Sequence, residues 1–161
     1  MKIRELLIPE FDNEIALTEK FLKRIPKNKM DWRPHKKSMT LQQLGSHLAE
    51  IPFWVTATMS KDEMVTDDYK PPMNNSPKEM VEVLKSAAAD ARATLAVDDA
   101  EYEKNWKMIQ GGEIVFEMPK FKVLRLMVLG QLPHHRAQLG LYLRLLGESV
   151  PSTYGPSADE R

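Results

Sequence analysis

Three polar residues, His47, Gln131 and His135, occupy positions where helical periodicity predicts a buried side chain. A buried polar group without a partner costs about 1–3 kcal/mol, so such residues need an explanation. Gln131 and His135 are four residues apart, which places both side chains on one face of a helix. Imidazole is a frequent ligand of divalent metal ions. The residues alone leave two interpretations open: a metal site, or core side chains that satisfy one another through hydrogen bonds.

The direction of these side chains follows from the apolar residues around them. At 100° per residue, Gln131 lies about 40° from His135, whereas His134 lies about 100° from it. The apolar residues within about 40° of His135 are Leu124, Val128, Leu139, Tyr142 and Leu146. The residues beside His47 on its own helix are the apolar Leu44, Ile51 and Trp54, together with Thr58. Two inward-facing histidines from different helices can therefore meet, while His134 is expected outside the site.

The sequence argues against several other kinds of site. It contains no cysteine, so any thiol in the chemistry must come from another molecule. An HExxH motif is absent, and no histidine has a glutamate three residues before it as in di-iron bundles. Ser46 lies beside His47 but lacks the G-x-S-x-G elbow of acyl transfer enzymes. Glu50, one turn beyond His47, could accept a hydrogen bond beside that histidine or act as a base, but it is interpreted as an exposed helix residue.

Four stretches of helical periodicity must position these residues. The first covers residues 3–25. The second carries His47, begins at a cap formed by Ser38 or Thr40, and is expected to bend at Pro52.

The third and fourth helices have clearer boundaries. Ser76 as N-cap, Pro77 at the first helical position and Glu79 as the partner in a capping box predict the start of the third helix. The fourth helix is predicted over residues 119–147, where a proline precedes it and a glycine ends it. This last helix carries both Gln131 and His135.

A change of periodicity before the last helix predicts a β-hairpin. The segments 106–109 and 113–116 have strand-like composition and flank a glycine pair at 111–112. The predicted fold class is all-α: an up-down-down-up type four-helix bundle with a short β-hairpin or extended loop before the last helix. With 161 residues, of which 42% are hydrophobic, the chain is expected to form a single domain over residues 1–161.

The charge balance argues against nucleic acid and membranes as partners. The chain has 23 Lys and Arg against 23 Asp and Glu, so its net charge is zero. It therefore has no overall positive charge that would attract phosphate groups. Basic clusters at 27–29 and 35–37 are short and are interpreted as solvated loop charge. No segment approaches the ~20 apolar residues that span a bilayer, and the N-terminus has no uninterrupted apolar signal region. A cytoplasmic location is expected.

Several separated motifs lie in the loop before the second helix, in that helix, and in the last helix and tail. They are D-W-R-P-H (31–35), K-S-M-T-L (37–41), Leu44, H-L-A-E-I-P (47–52), Trp54, M-P (118–119), H-H-R-A-Q-L (134–139), Y-L-R-L-L-G (142–147), V-P (150–151) and Y-G-P-S-A-D-E (154–160). In this combination the chain resembles the DinB family of metal-binding four-helix bundles along nearly its whole length.

The resemblance implies a divalent metal ion, typically nickel or zinc. In the family it is held by one histidine of the second helix and two histidines of an H-x-x-x-H motif on the last. His47 matches the first ligand and His135 the final one, whereas Gln131 stands where the family's usual middle histidine lies. A glutamine oxygen is neutral and binds zinc or nickel less strongly than imidazole. The expected metal site is therefore His47, Gln131 and His135.

The resemblance also implies an activity and partners. The expected function is that of a metal-dependent transferase or hydrolase acting on a small molecule, including thiol-dependent S-transfer with a low-molecular-weight thiol. The alternative is a non-catalytic binding bundle, damage-inducible or stress-associated, with a degenerate metal site; Gln131 favours it. Relatives are often homodimers, and the outer face of the last helix is expected to carry small and apolar residues that suit a dimer contact: Leu126, Pro133, Ala137 and Gly140.

Overall fold

The computed structural model describes residues 1–160. Within these residues the helices are α1 (Ile3–Leu22), α2 (Leu41–Glu50), α3 (Phe53–Ser60), α4 (Pro77–Thr94), α5 (Asp99–Glu103), α6 (Lys120–Leu124) and α7 (Gln131–Leu145). The strands are β1 (Glu63–Val65), β2 (Asn105–Gln110) and β3 (Glu113–Pro119). Short 3-10 and π turns occupy Lys27–Lys29 and Arg125–Leu129. None of these helices is long and apolar enough to cross a membrane.

The long helices pack pairwise around one hydrophobic core. Both α1 and α2 contact α4 on one side and α7 on the other. Fully burying a leucine-sized side chain stabilises the fold by about 1.5–3 kcal/mol. Core side chains from these four helices include Phe11, Leu22, Leu44, Leu48, Leu84 and Leu139. Because α2 faces α7 directly, residues on their buried faces are brought close together.

The first two helices follow the predicted capping and breaking signals. Thr40, one of the two predicted caps, accepts a hydrogen bond from the Gln43 amide, and the Gln43 side chain accepts one from the Thr40 amide. The predicted bend at Pro52 is a break, because α2 ends at Glu50 and α3 begins at Phe53. Helix α1 ends at Leu22, earlier than predicted, since the amides of Arg24 and Ile25 donate to carbonyls three residues before them.

The start of α4 is confirmed with one difference. Ser76 accepts a hydrogen bond from the Glu79 amide, and Pro77 is the first helical residue. The Glu79 carboxylate, however, accepts from the Asn75 amide and not from the amide of the N-cap Ser76. The predicted capping box is therefore wrong in its second bond, although the helix starts where expected.

The predicted hairpin is confirmed, and a third strand extends it. Strands β2 and β3 are antiparallel, and the turn between them has positive φ at Gly111 (60°) and Gly112 (78°), a conformation that glycine adopts without steric cost. Strand β1 pairs with β2 in parallel, so the sheet order is β1-β2-β3. The all-α class is therefore too narrow. The fold is mostly helical with a small three-stranded sheet.

The last predicted helix is interrupted before it reaches the site. Helix α6 passes into the π turn, where the Gly130 amide donates to the Arg125 carbonyl at 2.8 Å. Helix α7 then begins at Gln131 and ends at Leu145, and Gly147 follows with φ of 78°. The glycine stop is confirmed, whereas an uninterrupted helix over 119–147 is wrong.

The four residues predicted on the outer face of the last helix differ in their exposure. Leu126, in the π turn, and Ala137, on α7, are exposed as expected, whereas Pro133 is half-buried and Gly140 is buried. A Cβ at Gly140 would lie 3.2 Å from the ring of Phe21 and 3.6 Å from Val150, because α1 and the C-terminal tail pack against it. Gly140 therefore belongs to the inner side of α7.

Candidate metal centre

Two histidines from facing helices meet at the edge of the core. Helix α2 carries His47, α7 carries His135, and their Nε2 atoms lie 3.1 Å apart. The two rings are nearly perpendicular, at 85°, with centroids 4.5 Å apart. His135 is buried, while the side chain of His47 is 30% exposed. The pair thus lies at the boundary between the core and solvent.

Gln131 reaches the same point from one turn earlier on α7. Its Oε1 lies 3.0 Å from His135 Nε2. Two atoms that can each offer a lone pair, His47 Nε2 and Gln131 Oε1, therefore face His135 Nε2 at short distance. All three residues singled out in the sequence are brought together, and their role as metal ligands stays a prediction.

A second glutamine fixes the proton on the other side of His135. Gln138 Oε1 lies 3.0 Å from His135 Nδ1, and Gln138 Nε2 lies 3.2 Å from His134 Nε2. With Gln138 Oε1 in this position His135 Nδ1 is the donor, because an amide oxygen only accepts hydrogen bonds. In a neutral imidazole this leaves a lone pair on Nε2. His134 itself is exposed, and its Nε2 lies beside Gln138 Nε2. Its ring lies edge-on to the His135 ring, with centroids 4.8 Å apart, and its neighbour Gln138 faces His135 Nδ1 rather than Nε2.

Burial favours the neutral form of His135. Desolvation is the largest cause of a His135 pKa below the usual histidine value, and the hydrogen bond with Gln138 opposes it. The neighbouring imidazoles of His47 and His134 lower this pKa further. A neutral imidazole is the form that binds metal ions.

His135 Nε2 faces both His47 Nε2 and Gln131 Oε1, and a single proton can form a hydrogen bond across only one of these two contacts. His47 Nε2 can carry a proton and donate it to this lone pair. Gln131 Oε1 is an acceptor, however, and it faces the same acceptor atom at 3.0 Å. Two facing lone pairs repel each other, and a cation beside them converts the repulsion into attraction.

The donor set fits a divalent ion of the zinc or nickel type. Ligand atoms about 2.0–2.1 Å from zinc lie about 2.9 Å apart in octahedral and about 3.3 Å apart in tetrahedral coordination. The observed separations of 3.0 and 3.1 Å fall between these values. Within residues 1–160 no group of three or more His, Cys, Asp or Glu side chains is arranged to hold a metal. The cluster around His135 does not count as such a group, because its third donor is the side-chain amide of Gln131.

Glu50 is the residue that the sequence interpretation placed wrongly. It is 4% exposed, and not a solvated helix residue. Its Oε1 accepts a hydrogen bond from the Tyr69 hydroxyl and lies 3.8 Å from His47 Nδ1. Burial and the contact with Glu50 raise the pKa of Tyr69 above its usual range, so the hydroxyl keeps its proton. Carboxylates beside a ligating histidine orient its ring and raise its basicity.

The sequence contained a signal for two of the three supporting residues. Glu50 lies about 60° from His47 around its helix, and Gln138 lies about 60° from His135 around the other. The helical periodicity that places the two histidines on buried faces therefore also places Glu50 and Gln138 close to those faces. Tyr69 lies between β1 and α4, outside any helix or strand, where no period predicts the direction of a side chain.

Comparisons with known proteins agree with this architecture. The model of the DinB family matches residues 4–161. A crystal structure of a DinB-like protein from Bacillus cereus has 22% sequence identity and a TM-score of 0.67, covering 89% of this chain and 92% of that chain. A DinB-like protein from Bacillus subtilis has 16% identity and a TM-score of 0.67, covering 96% and 97%. No curated protein matches the chain. At these identities the two structures support the fold alone.

Proposed function

Because the chain belongs to the DinB family, we propose that it is a metal-dependent enzyme whose centre is formed by His47, Gln131 and His135. The reaction is a thiol-dependent S-transfer or a hydrolysis of a small molecule. The observation that carries the proposal is the arrangement around His135 Nε2, where His47 Nε2 and Gln131 Oε1 converge at 3.1 and 3.0 Å. Hydrogen bonding among the three side chains leaves one of these contacts without a proton.

Each residue of the centre has a separate task in this proposal. His47 and His135 are the imidazole ligands of a nickel or zinc ion, and Gln131 supplies a weaker, neutral oxygen. The bound ion supplies positive charge that lowers the pKa of a thiol or water beside it. Gln138 keeps the proton of His135 on Nδ1, and Glu50 places negative charge beside the His47 ring.

The thiol of an S-transfer reaction has to come from a second molecule, since the chain contains no cysteine. His47 provides the route of approach, because it is the more exposed of the two histidines and lines a cavity of about 470 Å³. Cavities of roughly 300–1,000 Å³ accommodate small organic molecules. These two features support a small-molecule substrate over a macromolecular one.

A second candidate function is a non-catalytic binding role with a degenerate metal site. Two observations favour it. Gln131 replaces a stronger ligand, and His47 Nε2 can donate a hydrogen bond to His135 Nε2 across 3.1 Å without any ion. In that case the two histidines only satisfy each other in the core.

Metal analysis of the untagged protein distinguishes the two candidates. We expect equimolar nickel or zinc after titration and removal of excess ion, and loss of that metal in both His47→Ala and His135→Ala. His35→Ala is the matched control, because it removes an exposed imidazole from the loop before α2, where it accepts a hydrogen bond from the Lys37 amide. Wild-type protein that retains no more metal than the two ligand variants would refute the metal-dependent function. Thiol conjugation assays with nickel, zinc and manganese then test the reaction itself.

A further inference from the structure

The cavity beside His47 lies between two loop segments. One is the loop that leads into α2, and the other is the segment that leads toward α4. Both are held to α2 by hydrogen bonds. The Leu41 amide donates to the Trp32 carbonyl at 2.9 Å, and the Gln42 side chain donates to the Asn74 carbonyl at 3.0 Å. The walls of the cavity are therefore positioned by the helix that carries His47.

The charged residues that line this cavity all have the same sign. They are Arg33, Lys36 and Lys37, and no carboxylate lines the cavity with them. Within residues 1–160 none of these three side chains forms an ion pair. Arg144, by contrast, forms an ion pair with Asp159. Although the whole chain is neutral, this cavity has an uncompensated positive charge.

The remaining lining combines apolar and polar residues. Met39, Pro71, Pro72 and Met73 contribute apolar walls, and the polar lining residues are Ser38, Gln43 and His47. Proline and methionine side chains offer hydrophobic contact area to a ligand. A molecule that fits all these surfaces carries a negative group toward the three cations and an apolar portion along the prolines and methionines.

We propose that this cavity binds a small organic anion, with a carboxylate or phosphate group held by Arg33, Lys36 and Lys37 and an apolar portion extending along Met73 toward His47. The basic cluster at 35–37, interpreted from the sequence as solvated loop charge, then acts in ligand recognition. That the anion is a substrate rests on the proposed function. Its binding to the cavity does not depend on a metal ion.

The effect of each cation on binding can be bounded from Coulomb's law. Two unit charges 4 Å apart in water attract each other by about 1 kcal/mol, which corresponds to roughly fivefold in affinity. Removing two cations should therefore weaken anion binding by about tenfold or more at low salt, and added salt should reduce the difference.

The test is a titration of the metal-free, full-length, isotope-labelled protein with three probes: phenyl phosphate, benzoate and neutral benzamide. We expect the two anions to shift the backbone amide signals of Gln43, His47 and Met73, and benzamide to bind at least about fivefold more weakly. Tighter binding of phenyl phosphate identifies a phosphate ligand, and tighter binding of benzoate identifies a carboxylate ligand. Equal binding of benzamide, or signal shifts confined to another surface, overturns the proposal.

A pair of double variants provides the matched comparison. Lys36→Gln with Lys37→Gln should weaken anion binding about tenfold. Lys27→Gln with Lys29→Gln removes two exposed cations from the preceding turn, outside the cavity, and should leave affinity unchanged. Equal loss in both overturns the proposal, since a general surface field would then explain the binding. Metal uptake by the same proteins, measured after reloading with nickel or zinc, separates the two claims. Anion binding without metal uptake supports the cavity and refutes the metal-dependent function, while metal uptake without anion binding refutes the cavity and supports the metal centre.

Discussion

Gln131→His replaces a neutral amide oxygen by an imidazole nitrogen at the first residue of α7. A histidine at this position lies one turn before His135 on the same face of the helix. Its nitrogen binds zinc and nickel more strongly than an amide oxygen does. Because the change affects one donor and leaves both His47 and His135 in place, we expect the variant to bind these ions more tightly than the wild-type protein.

The size of the effect can be worked out from the role of Gln131 as a direct donor. Residues that only support a metal ligand contribute about 10–100-fold in affinity, so a direct ligand should contribute at least tenfold. Tenfold corresponds to about 1.4 kcal/mol, and at saturating metal this free energy adds to the stability of the folded state. For a chain of 161 residues this raises Tm by about 3–6 °C beyond that of metal-loaded wild type.

Competition against a chelating dye measures the affinity, and thermal unfolding with and without nickel or zinc measures the stability. His35→Gln is the control, because it removes an exposed imidazole from the loop before α2, outside the centre. It should change neither value. The reasoning is refuted if Gln131→His binds no more tightly than wild type. It is equally refuted if His35→Gln loses as much affinity as His47→Ala.

Two further predictions concern charge. Glu50→Gln keeps the shape of the side chain but removes the carboxylate that lies 3.8 Å from His47 Nδ1. This variant should bind zinc about 10–100-fold more weakly in the same dye competition, with an unchanged circular dichroism spectrum. An unaltered zinc affinity would contradict the positioning role of Glu50. Acid should release the C-terminal tail, because the Arg144 guanidinium and the Val150 amide hold the pKa of Asp159 below its usual 3.8. A lowered folded-state pKa gives stability that is present above the unfolded-state pKa and is lost as pH falls through the folded-state value. Hydrogen exchange of the Val150 amide should therefore lose its protection below about pH 3.8, and Asp159→Asn should lose it already at neutral pH.

The two histidines could be found from the sequence because helical periodicity is geometric. The apolar residues before and after each histidine show which face of its helix is buried, and the histidine lies on that face. Glu50 satisfied the same geometry and was still placed in solvent, because glutamate is seldom buried without a partner. That partner is Tyr69, which lies 19 residues away in the chain. Only the tertiary fold brings the two together.

The fold was predictable where local chemistry determines it. The pair Gly111 and Gly112 adopts positive φ and so specifies the hairpin. Strand β1 has three residues and pairs with a strand more than 40 positions later, so no local sequence pattern predicts it. The π turn was missed because Leu124 and Val128 on either side of its start are both buried, as in a regular helix. An apolar stripe does not reveal one additional residue in a turn.

That additional residue sets the relative rotation of α6 and α7. Each residue rotates an α-helix by about 100°, and a π turn accommodates one extra residue locally, so removing one residue from Arg125–Leu129 would leave a regular helix with α6 and α7 in nearly the same relative orientation. Val123 would then stay buried on α6 while His135 stays directed toward His47. Inserting one more residue into a regular turn would instead rotate the two helices by about 100° and separate these two positions. A codon lost in this segment would therefore preserve the site, whereas a codon gained there could dismantle it during evolution without altering any ligand.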